Sequence, residues 1–282
     1  MILIADSGST KCDWLLADSK GNIVQEQNAP GINPVMFTPD EIKERIRLAS
    51  AIIPYAELIT RIYFYGAGCG LSANQELVSI ALQNFYDNAK IEVQSDLVAA
   101  VRATAKEPSI VCILGTGSNS CYFDGKKIHF GFDSLGYSVM DEASGNYFGR
   151  QLLRDFFYKR MPTNLSNRFA TEFNLTTEQV LLRLYKSPMP AKYLASFAKF
   201  IFEVGYTDTY IKNLLEKGFE ELIEYQLKLW PDYKKIPIHF IGSIAYFAED
   251  ILRNTLSSKS ILTGRVQKAP IQGLYNYHAV NK

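Results

Sequence analysis

Residues 2–17 read ILIADSGSTKCDWLLA, in which two short apolar runs flank a loop of glycine, serine and threonine. The runs Ile2–Ala5 and Cys12–Ala17 predict two strands, because short apolar segments bounded by small and polar residues are typical of strands. A turn at 18–22 leads into a third predicted strand over Ile23–Gln27. The chain is therefore predicted to open with three sequential strands, the first two joined by a loop of small, hydroxyl-bearing residues.

The same pattern occurs a second time, where residues 110–123 read IVCILGTGSNSCYF and a turn precedes a predicted strand over Ile128–Phe130. An internal repeat with a domain-sized period predicts two related domains. We place the domains at 1–107 and 108–269, with a helix at about 270–282 packing back on the first. A shift of 109 residues aligns the two copies and places Gly8 on Gly117, Ser9 on Ser118 and Cys12 on Cys121.

Between the two copies the pattern alternates, with helical periodicity over 39–52 and 72–87 and predicted strands at Arg61–Tyr65 and Ile91–Val93. Later residues are predicted to be mostly helical, over about 141–159, 164–172, 176–185, 190–204, 207–229 and 244–256, with strands at Ile238–Ile241 and Ile261–Leu262 and a final helix from Pro270 to about Tyr277.

The composition indicates a globular protein: 47% of the 282 residues are hydrophobic and 21% are charged. The formal net charge is +1, and the sequence has no long basic run, so a nucleic-acid or anionic-membrane partner is disfavoured. No apolar window has the length of a membrane span, and the N-terminus lacks the features of a signal peptide. We therefore expect a cytoplasmic protein.

The four cysteines are widely spaced and form no CxxC pair, so their spacing does not predict a metal site. Reduced thiols in a cytosolic protein fit this pattern better than a disulfide framework. They are Cys12, Cys69, Cys112 and Cys121.

Loops of glycine, serine and threonine between strands can bind phosphate, because small side chains let backbone N–H groups approach the anion and hydroxyls add further donors. One such loop is more often an ordinary turn, but two, each opening a similar unit, indicate a nucleotide-binding protein. The GxxxxGK[ST] and GxGxxG motifs are absent, so the binding element is predicted to be a pair of hairpins.

Two aspartates lie at positions where a carboxylate could act beside a bound nucleotide. Asp6 at the mouth of the first loop could cap a turn, but the paired loops favour a carboxylate that meets phosphates through Mg²⁺. Asp96 follows a predicted strand and precedes a predicted helix, so its spacing alone favours an N-cap. A general base is the alternative at that position.

Two further segments leave their roles open. Asp141, Glu142 and Ser144, in a loop that enters a long helix, could cap that helix or bind ligand hydroxyls. Gly242 and Ser243 end a strand before a helix, and could form an ordinary turn or contact a nucleotide at the helix N-terminus.

Five segments together resemble the BadF/BadG/BcrA/BcrD ATPase family, specifically its N-acetylglucosamine kinase-like branch. The resemblance covers essentially the whole chain, and it implies an α/β fold of two duplicated ribonuclease-H-like, actin-like ATPase domains with a nucleotide cleft between them. The segments are DSGSTK (6–11), SDLVAA (95–100), LGTGSNS (114–120), LGYSVMDEASG (135–145) and FIGSIA (240–245).

The resemblance also implies a role for individual residues in a reaction that uses ATP and Mg²⁺. It implies that Asp96 is the catalytic base aimed at a sugar 6-hydroxyl and that Asp6 lies near Mg²⁺. The remaining implied roles are phosphate binding by Ser9, Thr10 and Lys11, binding of the transferred phosphate next to the sugar by Thr116 and Gly117, sugar binding by Asn33 and Asp141, and contact with adenosine by Gly242 and Ser243.

Three positions depart from the family pattern on the sugar side. Met140 and Ala143 replace glycines, and Leu135 replaces a tryptophan that stacks on the sugar. If either glycine position needs a positive φ or lies close to the ligand, its side chain causes strain or fills the pocket. ATP binding is therefore better supported by the sequence than specificity for N-acetylglucosamine.

The main hypothesis is phosphorylation of an amino sugar, most simply N-acetylglucosamine at its 6-hydroxyl, by a protein that the resemblance implies is a homodimer. One alternative is an ATPase that activates a partner enzyme through a cysteine-held iron–sulfur cluster. Another is a non-catalytic sugar or nucleotide sensor, suggested by Met140 and Ala143.

Overall fold

A computed structural model of the chain describes residues 1–280. It divides into two compact units, one made of Met1–Lys106 and the stretch from Ala269, the other of Glu107–Lys268. Within the described residues no helix has the length and apolarity needed to cross a membrane.

The first unit is built on a five-stranded sheet in the order β3-β2-β1-β4-β5. Strand β1 pairs antiparallel with β2 and parallel with β4. The strands are β1 (Ile2–Ser7), β2 (Lys11–Ala17), β3 (Ile23–Pro30), β4 (Arg61–Gly66) and β5 (Lys90–Ser95).

Helices cover both faces of this sheet, so its central strands are buried on both sides. Leu3 and Ala5 of β1 belong to one core cluster, whereas Ile4 packs into a second cluster with Leu274 from the end of the chain. The helices are α1 (Pro39–Arg47), a 3₁₀ helix (Ile53–Leu58), α2 (Ser72–Gln83), α3 (Asp96–Thr104) and, from the C-terminal stretch, α12 (Ile271–Tyr275) with a π-helical turn at Asn276–Val280.

The start of α1 shows how local sequence sets a boundary. Thr38 and Glu41 form a capping box, and Pro39 occupies the first helical turn, where its missing N–H costs nothing. Ile42 and Ile46, one turn apart, face the core.

The second unit repeats the sheet, with the order β10-β9-β6-β7-β8. Strand β6 pairs antiparallel with β7 and parallel with β9, as β1 does with β2 and β4. The predicted duplication is confirmed at the level of topology. The strands are β6 (Ser109–Leu114), β7 (Ser118–Phe123), β8 (Ile128–Phe130), β9 (Ile238–Ile241) and β10 (Thr263–Gln267).

The helices of the second unit bury one large apolar core that includes Phe148, Phe169 and Phe219. They are α4 (Gly145–Phe157), α5 (Thr163–Phe173), α6 (Thr177–Tyr185), α7 (Pro190–Ser196), α8 (Lys199–Val204), α9 (Thr209–Leu222), a π-helical turn at Ile223–Leu227, α10 (Ser243–Phe247) and α11 (Glu249–Ser258).

Three details differ from the sequence-based expectations. The predicted alignment of Cys12 with Cys121 is wrong, because Cys12 pairs with the last residue of β1, whereas Cys121 pairs with Val111 inside β6. The second hairpin loop is one residue shorter, so no single shift aligns both of its strands. The predicted helices over 190–204 and 244–256 are each two helices, and the last strand begins at Thr263 instead of Ile261.

Candidate active site

The loop between β1 and β2 is held closed by its own backbone and by the segment that follows β3. The Gly8 N–H donates to the Lys11 carbonyl at 2.9 Å. The Ser7 hydroxyl accepts from the Ile32 N–H at 2.7 Å and lies 3.0 Å from the Ile32 carbonyl, to which it donates. Two segments separated in sequence therefore form a single rigid rim.

Gly31 allows this close approach. A Cβ at residue 31 would lie 2.1 Å from the Gly8 carbonyl oxygen and 2.8 Å from the Lys11 nitrogen. Both are backbone atoms of the loop, so a side chain could fit only if the loop moved.

Gly31→Ala is therefore expected to displace the loop and to lower the free energy of unfolding by about 1–3 kcal/mol, the usual cost of overpacking. Gly70→Ala is the matched control, because a Cβ there meets nothing within 4 Å. Thermal and urea unfolding of the two variants measure the difference. Equal stability of the two variants would contradict the proposed close approach at Gly31.

Asn33 and Ser9 are joined directly. The Asn33 Nδ2 donates to the Ser9 Oγ at 2.9 Å, while the Asn33 Oδ1 accepts from the Val35 N–H at 3.0 Å. The residue predicted to bind sugar thus contacts a residue predicted to bind phosphate. The fold places both groups at one point on the first unit.

Asp96 lies at the same edge of the sheet. Ser7 pairs with Gly66, and Gly66 pairs with Ser95, so the carboxyl ends of β1, β4 and β5 form one row. With strands about 5 Å apart, the first loop and the start of α3 are separated by about 10 Å. Ligands of open α/β sheets bind outside such carboxyl ends.

The interpretation of Asp96 as a helix N-cap is wrong. Ser95 occupies the N-cap position and Asp96 is the first residue of α3, its Oδ1 accepting from the Leu97 N–H at 2.9 Å. Removal from water raises the pKa of the Asp96 carboxyl above its ordinary value of 3.8, an effect only partly offset by backbone hydrogen bonds. A carboxylate with a raised pKa is a better proton acceptor.

Asp6 lies in a crowded group of carboxylates. It is the ladder partner of Asp13 across β1 and β2. Burial, followed by the negative charges of Asp13 and Asp96, raises the pKa of Asp6 to about 8, against a lowering by Lys11. The Lys11 ammonium pairs with Asp13 at 2.9 Å and stays largely in solvent.

In the second unit, the loop between β6 and β7 supports the start of α4. The Gly115 carbonyl accepts from the Gly145 N–H at 2.8 Å, and the Thr116 carbonyl accepts from the Asn146 N–H at 3.0 Å. Ser144 caps the helix by accepting from the Tyr147 N–H. The first N–H groups of α4 are therefore used to hold the loop.

Asp141 is packed against this loop. Its carboxylate accepts from the Ser118 N–H at 3.2 Å and from the Asn146 Nδ2 at 2.7 Å. A Cβ at residue 117 would lie 2.9 Å from the Asp141 Oδ2, so Gly117 is required for the contact. Asp141 is 6% exposed, and burial raises the pKa of its carboxyl.

The departures from the family pattern have distinct structural settings. Ala143 has a φ of +58°, a left-handed conformation that costs an L-residue about 1–2 kcal/mol. The backbone of Asp141 is also left-handed, with a φ of +72°, whereas the φ of Met140 lies outside the left-handed region. The strain expected for a lost glycine is therefore found at Ala143 only. Leu135 is largely exposed.

Gly242 lies at the end of β9 beside the end of β6. Its φ is +126°, and a Cβ there would lie 2.2 Å from the Leu114 carbonyl oxygen, so only glycine fits. Ser243 begins α10 directly after it. Thr116, Gly117, Gly242 and Ser243 therefore lie at one edge of the second sheet.

Sequence reasoning missed three polar residues at these sites. Asp13 and Asn146 were weakly indicated by the sequence, because they closely follow the segments DSGSTK (6–11) and LGYSVMDEASG (135–145). Gln226 carried none, because a single glutamine in a helical pattern is ordinarily a surface residue.

Two sheets with the same mixed strand order, each containing a hairpin with a loop of small residues, define the actin-like ATPase fold, which sugar kinases share. The predicted fold class is confirmed by known structures. A crystal structure from Porphyromonas gingivalis, assigned as a candidate N-acetylglucosamine kinase, superposes with a TM-score of 0.93 at 35% identity, covering 100% of this chain and 99% of that one. No protein-family model and no curated protein matches the chain.

Two further structures share the fold at lower identity. A candidate N-acetylglucosamine kinase from Chromobacterium violaceum gives a TM-score of 0.65 at 16% identity, covering 98% of each chain. A glucokinase of the ROK family from Streptomyces griseus, solved with glucose and AMPPNP, gives a TM-score of 0.60 at 15% identity, covering 99% of this chain and 98% of that one.

The chain belongs to the family of the Porphyromonas gingivalis protein and has the actin-like ATPase fold that sugar kinases also have. Membership of the BadF/BadG ATPases and formation of a homodimer stay predictions.

Proposed function

We propose that the protein transfers the γ-phosphoryl group of Mg-ATP to a hydroxyl of an amino sugar, with the 6-hydroxyl of N-acetylglucosamine as the first candidate. The observation that carries the proposal is the hydrogen bond between Asn33 and Ser9, two strands from Asp96 at one sheet edge. It joins a sugar-binding group to a phosphate-binding group beside a candidate base. Positioning of this kind supplies most of the catalysis in phosphoryl transfer.

The proposed roles are assigned within each unit separately. In the first, Ser9, Thr10 and Lys11 bind phosphate oxygens, Asn33 binds the sugar, and Asp96 accepts the proton of the attacking hydroxyl. In the second, Thr116 and Gly117 hold the transferred phosphate, Asp141 orients the sugar, and Gly242 with Ser243 contacts adenosine. The new bond joins the sugar oxygen to phosphorus, the bond to the bridging oxygen breaks, and ADP leaves.

The residues of the first unit fit a bound Mg²⁺. Burial, followed by the negative charges of Asp13 and Asp96, raises the pKa of Asp6 to about 8, so part of this shift is carboxylate repulsion. A divalent cation at Asp6, bound directly or through water, would offset this repulsion and neutralise charge on the phosphates.

The thiols argue against the activator ATPase. Burial raises the pKa of Cys69 to about 12 and raises the pKa values of Cys12 and Cys112 well above the ordinary range. The proposed activator would hold an iron–sulfur cluster between subunits through cysteines, whereas all four cysteines here are buried inside the fold. The kinase is therefore the better-supported function.

A coupled assay with Mg-ATP and a panel of hexoses and amino sugars tests the proposal. We expect ADP release that depends on an amino sugar, with the matching phosphorylated sugar seen by mass spectrometry. Release of ADP without any sugar would support an ATPase instead. Sugar binding by calorimetry without a phosphorylated product would support the sensor.

A further inference from the structure

Gln226 is an amide in the core of the second unit. It lies in the π-helical turn Ile223–Leu227 that directly follows α9, and its side chain is only 2% exposed. The Lys228 N–H donates to the Ile223 carbonyl at 3.1 Å, which is the i to i−5 bond of a π turn. Such turns are rare and frequently occur at functional sites.

The Gln226 amide contacts two loops at once. Its Nε2 donates to the Ser118 Oγ at 2.9 Å and to the Glu142 Oε2 at 3.1 Å. Ser118 is the residue after Gly117, and Glu142 is the residue after Asp141. Gln226 therefore holds the neighbours of the two residues that meet at the centre of this unit's site.

One turn further along, Trp230 supports the same strand. Its Nε1 donates to the Ser120 Oγ at 3.4 Å, and its ring lies 6.2 Å from that of Tyr122. Ser118 and Ser120 are on one face of β7, so Gln226 and Trp230 anchor the segment to that face. The position of the Gln226 amide is thus set by packing that lies outside the site.

The amide is not fully satisfied. Among the residues that the structure describes, the Gln226 Oε1 is buried and has no hydrogen-bond partner. A buried acceptor left unpaired destabilises the fold, a penalty that methionine or leucine at this position would avoid. The two donated hydrogen bonds are therefore the property that distinguishes Gln226 from an apolar residue of similar size.

We propose that Gln226 is a positioning residue that fixes the phosphate-side loop 115–118 and the sugar-side loop 135–144 relative to each other. The expected effect of Gln226 on catalysis rests on the proposed kinase function. Its role in holding the two loops together does not. Without the amide, the bridge from Ser118 to Glu142 is lost, and the Ser118 N–H bond to Asp141 is left to hold the two loops together. The sugar is then oriented less accurately against the transferred phosphate. A displacement of about 1 Å between reacting groups can lower the rate about 10²-fold.

The kinetic test uses three variants. Gln226→Met removes both donors, and Gln226→Glu sets a carboxylate against Glu142. The double variant Q226E/E142Q restores a donor opposite an acceptor with the two groups exchanged. We expect kcat/KM for the sugar to fall by about 10- to 100-fold in Q226M and further in Q226E, and the double variant to recover about tenfold over Q226E.

The controls are Q179M and Q179E, at an exposed glutamine of α6, which should retain wild-type kinetics. Near-normal kcat/KM in Q226M, or a double variant no better than Q226E, would overturn the positioning role. A residue that only stabilises the fold would not show recovery by exchange of the two groups.

Hydrogen exchange of the ligand-free protein separates this proposal from the kinase proposal. In Q226M, backbone amides of 115–118 and 135–144 should both exchange faster, by about tenfold, while the hairpin over 2–17 keeps its wild-type rates. Unchanged exchange in both loops would overturn the coupling whatever the enzyme does. A wild-type protein that phosphorylates no sugar would overturn the function alone, and faster exchange in both loops would still support the coupling.

Discussion

Asp96→Asn is expected to lower kcat by about 10²- to 10⁴-fold, the usual contribution of a general base, while binding of Mg-ATP stays at its wild-type level. The amide keeps the size of the carboxyl group and its acceptor for the Leu97 N–H, but it cannot take a proton. Steady-state kinetics with the accepted sugar and calorimetry with a non-hydrolysable ATP analogue measure the two effects.

The pH dependence gives a second readout of the same variant. A base must be ionised to act, and burial raises the pKa of Asp96 above 3.8. In the wild type, kcat/KM should therefore rise with pH through that raised value and then level off, and in the variant this rise should be lost. Asp87→Asn is the matched control, because Asp87 is exposed and lies just before β5, at the other end of the strand that leads into Asp96. Turnover of D96N near that of D87N would exclude the role.

Asp6→Asn is expected to abolish Mg-dependent transfer and also to make the protein more stable at alkaline pH. The folded state holds a proton on Asp6 up to about pH 8, whereas the unfolded chain releases it near 3.8. The folded state therefore binds more protons between these values, so the free energy of unfolding falls as pH rises through that window. The full cost, on the order of a few kcal/mol, is present above pH 8.

Thermal unfolding from pH 5 to pH 9 tests this sign. The Tm of wild type should fall more steeply than that of D6N, so that D6N is the more stable protein at pH 9. Addition of Mg-ATP should make wild type the more stable of the two, because ligand binding raises the Tm of a protein that binds it and D6N is expected to bind Mg-ATP more weakly. Parallel curves for D6N, D87N and wild type would show that the Asp6 carboxylate imposes no cost on the fold.

The two hairpins were predictable because their information is local. ILIADSGSTKCDWLLA and IVCILGTGSNSCYF each combine two apolar runs with a loop of small residues, and the strands formed at β1, β2, β6 and β7. The boundary of α1 was local in the same way, since Thr38, Pro39 and Glu41 form its cap. The fold class followed from the repetition of one local pattern.

Errors arose where a boundary depended on packing. The pattern placed Asp96 at the N-cap of α3, but the strand ladder extends to Ser95, which takes that position and moves Asp96 into the helix. The second hairpin is one residue shorter than the first, a difference that identical-looking loop compositions conceal.

By itself, the sequence determined that the chain folds as two related units and which short motifs carry the candidate chemistry, because hydrophobic period and loop composition act over a few residues. The tertiary structure alone determined how these motifs are supported. Gly31 lies against Gly8 across the rim, Asn33 bonds Ser9 from 24 positions away, and Gln226 bonds Ser118 from 108 positions away. Such contacts depend on how segments far apart in sequence pack together. The type of one residue does not indicate which distant residue it will contact.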